Sequence, residues 1–241
     1  MIPSRWASSR LPGKPLADIA GRTMVERVYE RAASARGIAG VLVATDDDRI
    51  AGAVARFGGA VAMTRPDHAS GTDRIAEVAR GLSCDIVVNV QGDEPALDPA
   101  AIEAAVEPLR ADPSVLMGTL GTRLDPSADL QNPNIVKVLV DRQGYALYFS
   151  RAPVPYRREA TEALTGVLRH VGLYVYRREF LLTLASLPRT PLERIESLEQ
   201  LRAIEHGYRI RVVETAYSSV SVDTPEDLER VRRLAADGLL P

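Results

Sequence analysis

The sequence contains very little cysteine and histidine, and it has no long apolar run. Its 241 residues include one cysteine, Cys84, and three histidines. A lone cysteine cannot form an internal disulfide, which favours a reducing compartment. These four residues are also too scattered for a zinc site or a cysteine–histidine pair. No segment approaches the ~20 apolar residues of a membrane span, and no signal-peptide pattern opens the chain. These absences predict a soluble cytoplasmic protein without a membrane partner.

Neither sign of charge is in excess. Thirty basic residues stand against 32 acidic ones, and the formal net charge of −2 gives no electrostatic drive for binding along nucleic acid. Lysine is nearly absent, since Lys14 and Lys137 are the two lysines beside 28 arginines. Genome composition is the ordinary explanation of such a bias. The arginine side chain, however, ends in a rigid planar guanidinium, whereas lysine ends in a compact ammonium group. Lys14 and Lys137 are therefore candidates for specific roles.

Several common catalytic motifs are missing as well. A Gly-Lys pair occurs at 13–14, but Ser8 and Pro15 stand where a Walker loop needs its first glycine and its Ser/Thr. No G-x-G-x-x-G follows a strand and no G-x-S-x-G is present. The sequence therefore lacks the signatures of P-loop nucleoside triphosphatases, dinucleotide-binding enzymes and α/β-hydrolases.

Short runs rich in Val and Ile alternate with stretches of helical period. Strands are predicted at 41–45, 86–90 and 115–120, and helices at 24–36, 72–82 and from Pro99 to about 110. Thr72 and Asp73 are predicted to cap the second helix. This β-α-β repetition predicts an α/β fold with a doubly wound, mostly parallel open sheet.

The pattern changes after about residue 121. A hairpin is predicted from 136–140 and 145–149, strands at 170–176 and 208–214, and helices at 177–186, at 191–206 and from Pro225. Residues 157–167 are polar and irregular. No linker or repeat divides the chain. We therefore predict a single domain over 1–241, with an inserted β-rich subregion at about 121–215.

Three cations lie in the first loop of the chain. Arg5, Arg10 and Lys14 occur within ten residues of a segment rich in Ser, Gly and Pro. At the carboxyl end of a first strand, such a loop sits where open α/β sheets bind ligands, and spaced cations with free backbone N–H groups suit a triphosphate. The alternative is a solvated basic loop.

Two acidic motifs also follow predicted strands. Asp93 and Glu94 come after the strand at 86–90, and Asp223 follows a short strand before a helix that starts with Pro225. Mg²⁺ takes hard oxygen ligands from one or two carboxylates together with substrate phosphates. The alternatives are a solvated acidic turn at 93–94 and a plain helix N-cap at Asp223.

Together these motifs resemble those of the CMP-KDO synthetase family, the 3-deoxy-manno-octulosonate (KDO) cytidylyltransferases of lipopolysaccharide assembly. Nine stretches match in family order from residue 2 to residue 231. They are IPSRWASSRLPGKPLADIAG, VATDDDRI, MTRPDHASGTDRIAEV, VVNVQGDEP, NPNIVKVLVD, GYALYFSRAPVPY, RHVGLYVYRREFL, PLERIESLEQLR and SVDTPEDLERV. The resemblance implies a nucleotidyltransferase, Rossmann-like fold and transfer of CMP from CTP to KDO.

The resemblance also implies roles for individual residues. It assigns the triphosphate of CTP to Arg5, Arg10 and Lys14, and Mg²⁺ to Asp93 and Asp223. Of these residues it gives a catalytic role to Lys14, Arg10 and Asp93. It assigns the cytidine side to Ser70, Thr72, Arg74 and Gln91, and the sugar acid to Arg151, His170, Tyr174, Glu199 and Gln200. Family members pair as homodimers through part of the inserted subregion, so a homodimer is expected.

The sequence departs from the family at its start and leaves the acceptor open. Family members carry four or five apolar residues of a first strand before the Ile-Pro at 2–3, so a native start upstream of Met1 is expected. The stretch Ser219-Val-Ser-Val-Asp223 also stands where the family more usually has a glycine before Val-Asp. The alternatives to KDO transfer are a cytidylyltransferase for a related acid sugar, such as a KDO analogue or a sialic-type acid, and an inactive nucleotide-binding homologue.

Overall fold

The computed structural model describes residues 1–7, 11–159, 163–217 and 220–240. The chain divides into two compact units, of which the first comprises 1–103 and 218–241 and the second 104–217. The subregion predicted at 121–215 lies within the second unit. The prediction of one domain over the whole chain stays a prediction.

Strands and helices alternate along most of the chain. The strands are β1 (Ile2–Ser4), β2 (Asp18–Ile19), β3 (Arg22–Thr23), β4 (Val43–Thr45), β5 (Val61–Met63), β6 (Ile86–Asn89), β7 (Met117–Arg123), β8 (Lys137–Val140), β9 (Ala146–Ser150), β10 (Val167–Arg177) and β11 (Arg211–Glu214). The helices are α1 (Met24–Ala33), α2 (Asp48–Arg56), α3 (Gly71–Ala79), α4 (Pro99–Ala111), α5 (Arg178–Ser186), α6 (Pro191–Glu196), α7 (Leu201–Glu205) and α8 (Pro225–Ala236).

The first unit is built on a parallel sheet. Strand β4 pairs in parallel with β1 on one side and with β5 on the other, with Ile2 opposite Val43 and Val43 opposite Val61. Strand β6 runs beside β1, because the Met1 ammonium donates to Val88 O at 2.6 Å and Val90 N donates to Met1 O at 2.9 Å. The loops after β1, β4 and β6 therefore leave the same edge of the sheet, where α/β folds bind ligands. The predicted α/β architecture is confirmed.

Side-chain caps fix where the helices of this unit begin. Thr23 and Glu26 form a capping box on α1, and the Asp47 carboxylate accepts from Arg49 N on α2. Helix α3 is capped by Ser70, whose hydroxyl accepts from Asp73 N at 3.1 Å. The predicted cap at Thr72 and Asp73 is therefore wrong by two residues, because the serine ahead of Gly71 reaches the free N–H group first.

Helix α8 closes the first unit. Its apolar face contributes Leu228 and Val231 to a buried core cluster that also contains Ile19, Met24 and Val222. Burying an aliphatic side chain of this size contributes roughly 1.5–3 kcal/mol. Since Val222 belongs to this core, the segment that carries Asp223 is held against the remainder of the unit.

The second unit contains a mixed sheet in the order β11-β7-β10-β8-β9. Strands β11 and β7 are parallel, whereas β7, β10, β8 and β9 pair antiparallel. The predicted hairpin at 136–149 is confirmed as β8–β9, with Gly144 at φ +78° in its turn. The helix predicted at 191–206 is instead two helices, because Ser197 adopts a left-handed conformation (φ +52°) between α6 and α7.

Within the described ranges, no helix is both long and apolar enough to cross a membrane.

Candidate active site

A cleft of about 350 Å³ opens at the ligand-binding edge of the first unit. Its walls come from four short segments of the chain and from one further residue. They are Pro3, Ser4, Arg5 and Ala7; Lys14 and Pro15; His68, Ala69, Ser70, Gly71 and Arg74; Gln91, Gly92 and Asp93; and Asp223. Most of the residues predicted to bind nucleotide and metal thus meet in one cleft.

Lys14 stands between the two predicted metal ligands. Its Nζ donates to Asp93 Oδ2 at 2.7 Å, to Val222 O at 3.0 Å and to Asp223 Oδ1 at 3.4 Å. These three contacts use all three protons of the ammonium group. One positive charge faces two carboxylates, so the group keeps a net negative charge.

Backbone contacts explain why Asp93 and Asp223 meet across 130 residues of sequence. Val222 N donates to Asp93 O at 3.0 Å, which joins the loop after β6 to the segment before α8. The N-cap of α8 is Thr224, whose side chain accepts from Asp227 N, while Asp227 accepts from Asp223 N. The interpretation of Asp223 as a plain helix cap is therefore wrong, and its carboxylate is turned to Lys14.

The loop after β1 is shaped by its tryptophan. Gly13 has φ +71°, and a Cβ at that position would lie 2.9 Å from the Trp6 ring. The Arg49 guanidinium stacks on Trp6 at 3.4 Å from the ring centroid. This packing fixes the turn that begins at Lys14. Arg5 lines the cleft, whereas Arg10 lies outside the described residues.

Three of the four residues predicted for the cytidine side line the cleft, namely Ser70, Arg74 and Gln91. Arg74 is 4% exposed and forms an ion pair with Asp46 at 3.1 Å. Thr72 is 3% exposed and lies in the core-facing turn of α3. Thr72 does not line the cleft, and its buried position indicates that it stabilises α3, the helix capped by Ser70.

His68 is a cleft residue that the sequence reasoning did not select. Its Nε2 pairs with the Glu77 carboxylate, which also accepts from Arg65 N at 3.3 Å. The hydrogen bond from His68 holds the pKa of Glu77 below its usual value. Helix α3 thereby fixes the loop that leads to Ser70. The position of His68 inside the matched stretch MTRPDHASGTDRIAEV was the available signal.

The residues of the cleft fit a magnesium ion. Asp93 and Asp223 supply two hard carboxylates on one cleft wall, and Mg²⁺ is typically held by one or two carboxylates with substrate phosphates completing its shell. Across the part of the chain that is described, no cluster of three or more His, Cys, Asp or Glu side chains has a metal-binding arrangement. A donor set of two carboxylates suits a metal that arrives with a phosphate ligand.

The residues predicted to bind the sugar acid all belong to the second unit. The rings of His170 and Tyr174 lie 5.4 Å apart, although four residues of regular strand would separate them by about 13 Å. A bulge between Val171 and Tyr174 brings them together. The hydroxyl of Thr119 holds that bulge, since it lies 2.8 Å from Leu173 O and 3.2 Å from Val171 O.

Burial perturbs both rings in the direction expected for uncharged groups. It lowers the pKa of His170 to about 3 and raises the pKa of Tyr174 well above its usual value. His170 Nε2 also lies 3.0 Å from Thr119 Oγ1. Near neutral pH the two side chains therefore present neutral hydrogen-bonding groups, which suit sugar hydroxyls.

Glu199 and Gln200 lie between α6 and α7. Gln200 is 4% exposed, and its Nε2 has no hydrogen-bond partner in the described structure. The buried Arg202–Glu193 pair, at 2.6 Å, ties the two helices together, and Glu199 lies 3.6 Å from Arg202. The segment that carries Gln200 is thus held rigidly.

The guanidinium of Arg151 is held by two main-chain carbonyls. Its Nε donates to Glu196 O at 2.9 Å and its Nη1 to Pro133 O at 3.0 Å. The main-chain N–H of Arg151 donates to the Glu196 carboxylate at Oε2, and its main-chain carbonyl accepts from Lys137 Nζ at 2.7 Å. Arg151 is therefore well positioned, and these contacts use two of the five N–H groups of its side chain.

Comparison with known proteins decides the family. A family model described as cytidylyltransferase matches residues 1–210. The 3-deoxy-manno-octulosonate cytidylyltransferase of Syntrophotalea carbinolica is 60% identical over 238 residues, covering 96% of this chain and 95% of the relative. That of Solibacter usitatus is 56% identical and covers 100% and 95%. The chain belongs to the cytidylyltransferase family. The predicted resemblance to CMP-KDO synthetases is confirmed.

A solved structure of the same family supports the fold. CMP:2-keto-3-deoxy-manno-octonic acid synthetase complexed with CTP superposes with a TM-score of 0.94 at 48% identity, covering 99% of this chain and 98% of that one. The nucleotidyltransferase fold of this cytidylyltransferase is thereby established. Its cleft residues remain predictions, since they are assigned from the motifs and from the geometry described above.

Proposed function

We propose that this chain transfers CMP from CTP to KDO and releases pyrophosphate. The observation that carries the proposal is the convergence of Lys14, Asp93 and Asp223 in one cleft. This arrangement combines a cation for the triphosphate with oxygen ligands for a divalent metal. The names of the curated relatives supply the nucleotide and the sugar acid.

In this reaction the anomeric hydroxyl of KDO attacks the α-phosphorus of CTP in line with the departing pyrophosphate. Lys14 and Arg5 bind the triphosphate and stabilise the charge that develops on its oxygens. Ser70 and Gln91 bind the cytidine side, and Arg74 supports them from its ion pair with Asp46. The enzyme acts mainly by positioning its two substrates.

Magnesium dependence is part of the proposal. Asp93 and Asp223 would hold the ion, which supplies additional positive charge to the phosphates when bound. The hard carboxylate oxygens and the small number of protein ligands both support this choice of metal.

The acceptor is proposed to bind the second unit. His170 and Tyr174 offer neutral hydrogen-bonding groups, and the buried Gln200 offers an amide nitrogen that has no partner among the described residues. Arg151 supplies the cation for the sugar carboxylate, and Glu199 accepts from a hydroxyl. These groups match an acid sugar, which carries one carboxylate and several hydroxyls.

Pyrophosphate release tests the proposal. The purified chain is assayed with CTP, UTP, ATP and GTP, each with KDO, an amino-substituted KDO analogue and a sialic acid. We expect turnover with CTP and KDO in Mg²⁺ and its loss in EDTA. Preference for another acid sugar would establish the related cytidylyltransferase instead. Absence of turnover with every pair, while CTP still binds, would establish an inactive homologue.

We also propose a homodimer that acts in lipopolysaccharide biosynthesis in the cytoplasm. Among its described residues, the second unit exposes three large apolar side chains, Leu147 at 59%, Tyr156 at 90% and Ile195 at 79%. Exposed apolar groups of this size favour a protein contact. Cys84 as the single cysteine supports a reducing compartment. Light scattering of the purified chain, alone and after Tyr156→Ser, tests the dimer.

A further inference from the structure

The contacts of Lys14 conflict with a fixed role for its ammonium group. Binding the triphosphate requires free N–H donors, yet its three protons already face Asp93, Asp223 and Val222 O. The same two carboxylates are the proposed metal ligands. Lys14 therefore occupies the oxygens that a metal needs and uses the donors that a phosphate needs.

We propose that Lys14 is an exchangeable counter-cation, an inference that rests on the function proposed above. It neutralises part of the charge of Asp93 and Asp223 until a metal–nucleotide complex enters the cleft. The ammonium then leaves the carboxylates, and it binds the triphosphate. One side chain thereby couples the binding of metal and nucleotide.

The geometry allows this exchange without movement of the backbone. Lys14 N donates to Leu11 O at 3.1 Å, and Ala17 N donates to Lys14 O at 3.1 Å, so the main chain is held on both sides. The side chain is a flexible stem of four carbons, and 16% of it is exposed on the cleft wall. Rotation about its own bonds is enough to move the ammonium from one partner to another.

The charges make the coupling positive. The ammonium group of Lys14 repels a divalent cation at short distance. The two carboxylates therefore attract that cation less strongly while Lys14 lies between them. A triphosphate offers Lys14 a new partner and brings the metal its remaining ligands. Nucleotide must therefore raise the affinity for metal, and metal must raise the affinity for nucleotide by the same factor.

The two lysines of the chain make the exchange directly observable. In protein labelled with ¹³C and ¹⁵N at lysine alone, Lys14 and Lys137 give separate ε-methylene and ammonium signals. Lys137 is a matched internal control, because it is fully buried in the second unit and donates to three main-chain carbonyls. On adding CTP with Mg²⁺ we expect the Lys14 signals to shift and those of Lys137 to stay. Unchanged Lys14 signals while calorimetry records CTP binding would overturn the proposal.

A second experiment needs no nucleotide. Binding of Mn²⁺ alone is followed by electron paramagnetic resonance in the wild type, in Lys14→Met and in Lys14→Gln. We expect at least tenfold tighter Mn²⁺ binding in either folded variant, and a smaller gain in Mn²⁺ affinity on adding CTP. Arg22→Met is the control, since it removes the same charge from an exposed pair with Glu30 in the same unit.

The outcomes separate this inference from the proposed function. Mn²⁺ affinity that is equal or weaker in the Lys14 variants overturns the exchange, whatever the enzyme catalyses. Tighter Mn²⁺ binding in the Lys14 variants, together with a wild-type chain that binds no CTP, supports the counter-cation role of Lys14 and overturns the proposed transfer from CTP.

Discussion

The buried ring of His170 predicts a specific loss of stability in acid. The ring contacts Phe149 and Tyr174 at centroid distances of 5.0 and 5.4 Å, and burial lowers its pKa from 6.5 to about 3. Below pH 6.5 the unfolded chain binds a proton at this residue and the folded chain does not. The free energy of unfolding must therefore fall as the pH falls from about 6.5 towards 3.

The size of this effect follows from the two pKa values. Each pH unit inside that interval changes the free energy of unfolding by at most about 1.4 kcal/mol. Between pH 7 and pH 5, His170 alone should cost about 2 kcal/mol as an upper limit. Over the same interval the folded ring remains neutral, so its contact with Thr119 is kept.

Urea unfolding of the wild type and of His170→Gln at pH 7, 6 and 5 measures the effect. Glutamine retains a hydrogen-bonding group near Thr119 but does not titrate. We expect the wild type to lose about 1–2 kcal/mol more than the variant between pH 7 and pH 5. Equal losses in the two proteins would show that the ring is protonated in the folded state, and the argument from burial would fail.

Five further substitutions, grouped in four predictions, test other parts of the molecule. Asp93→Asn or Asp223→Asn should lower turnover by two or more orders of magnitude with an unchanged circular dichroism spectrum; near wild-type turnover at saturating Mg²⁺ would exclude that ligand. Gly13→Ala should raise the KM for CTP several-fold, because its Cβ would meet the Trp6 ring. Lys137→Met should lower the free energy of unfolding in urea by about 3 kcal/mol, since three partly buried carbonyls lose their donor. Gln200→Ala should raise the KM for the sugar acid much more than that for CTP in steady-state kinetics.

Much of the nucleotide cleft could be predicted from the sequence because the ends of parallel strands share one edge of a sheet. The buried run before Gln91 identifies one such end, and Gln91 and Asp93 line the cleft. The buried run before Asp46 identifies another, and Asp46 pairs with Arg74, which lines the cleft. The spacing of apolar residues likewise identified α1, α3 and α4 to within a few residues. In these segments the local pattern and the final fold agree.

The remainder depends on contacts that no local pattern encodes. Ser70 and not Thr72 caps α3, because the choice between neighbouring hydroxyls depends on the path of the incoming loop. The bulge that joins His170 to Tyr174 depends on Thr119, about fifty residues earlier in the chain. The break at Ser197 occurs within a stretch of unbroken helical period, since the paired Glu193 and Arg202 stabilise two short helices.

The contacts of the two lysines give a physical reason why lysine is retained at these two positions. At Lys14, three oxygen atoms converge on one nitrogen at 2.7, 3.0 and 3.4 Å, and at Lys137 three carbonyls do so at 2.7, 2.7 and 3.0 Å. An ammonium group directs three protons from a single atom, whereas a guanidinium spreads five N–H groups over a rigid plane. Arginine cannot place three donors at one such point without displacing the surrounding backbone. Both sites therefore require lysine and not arginine. At Lys14 the charge must move, whereas at Lys137 it must stay in place.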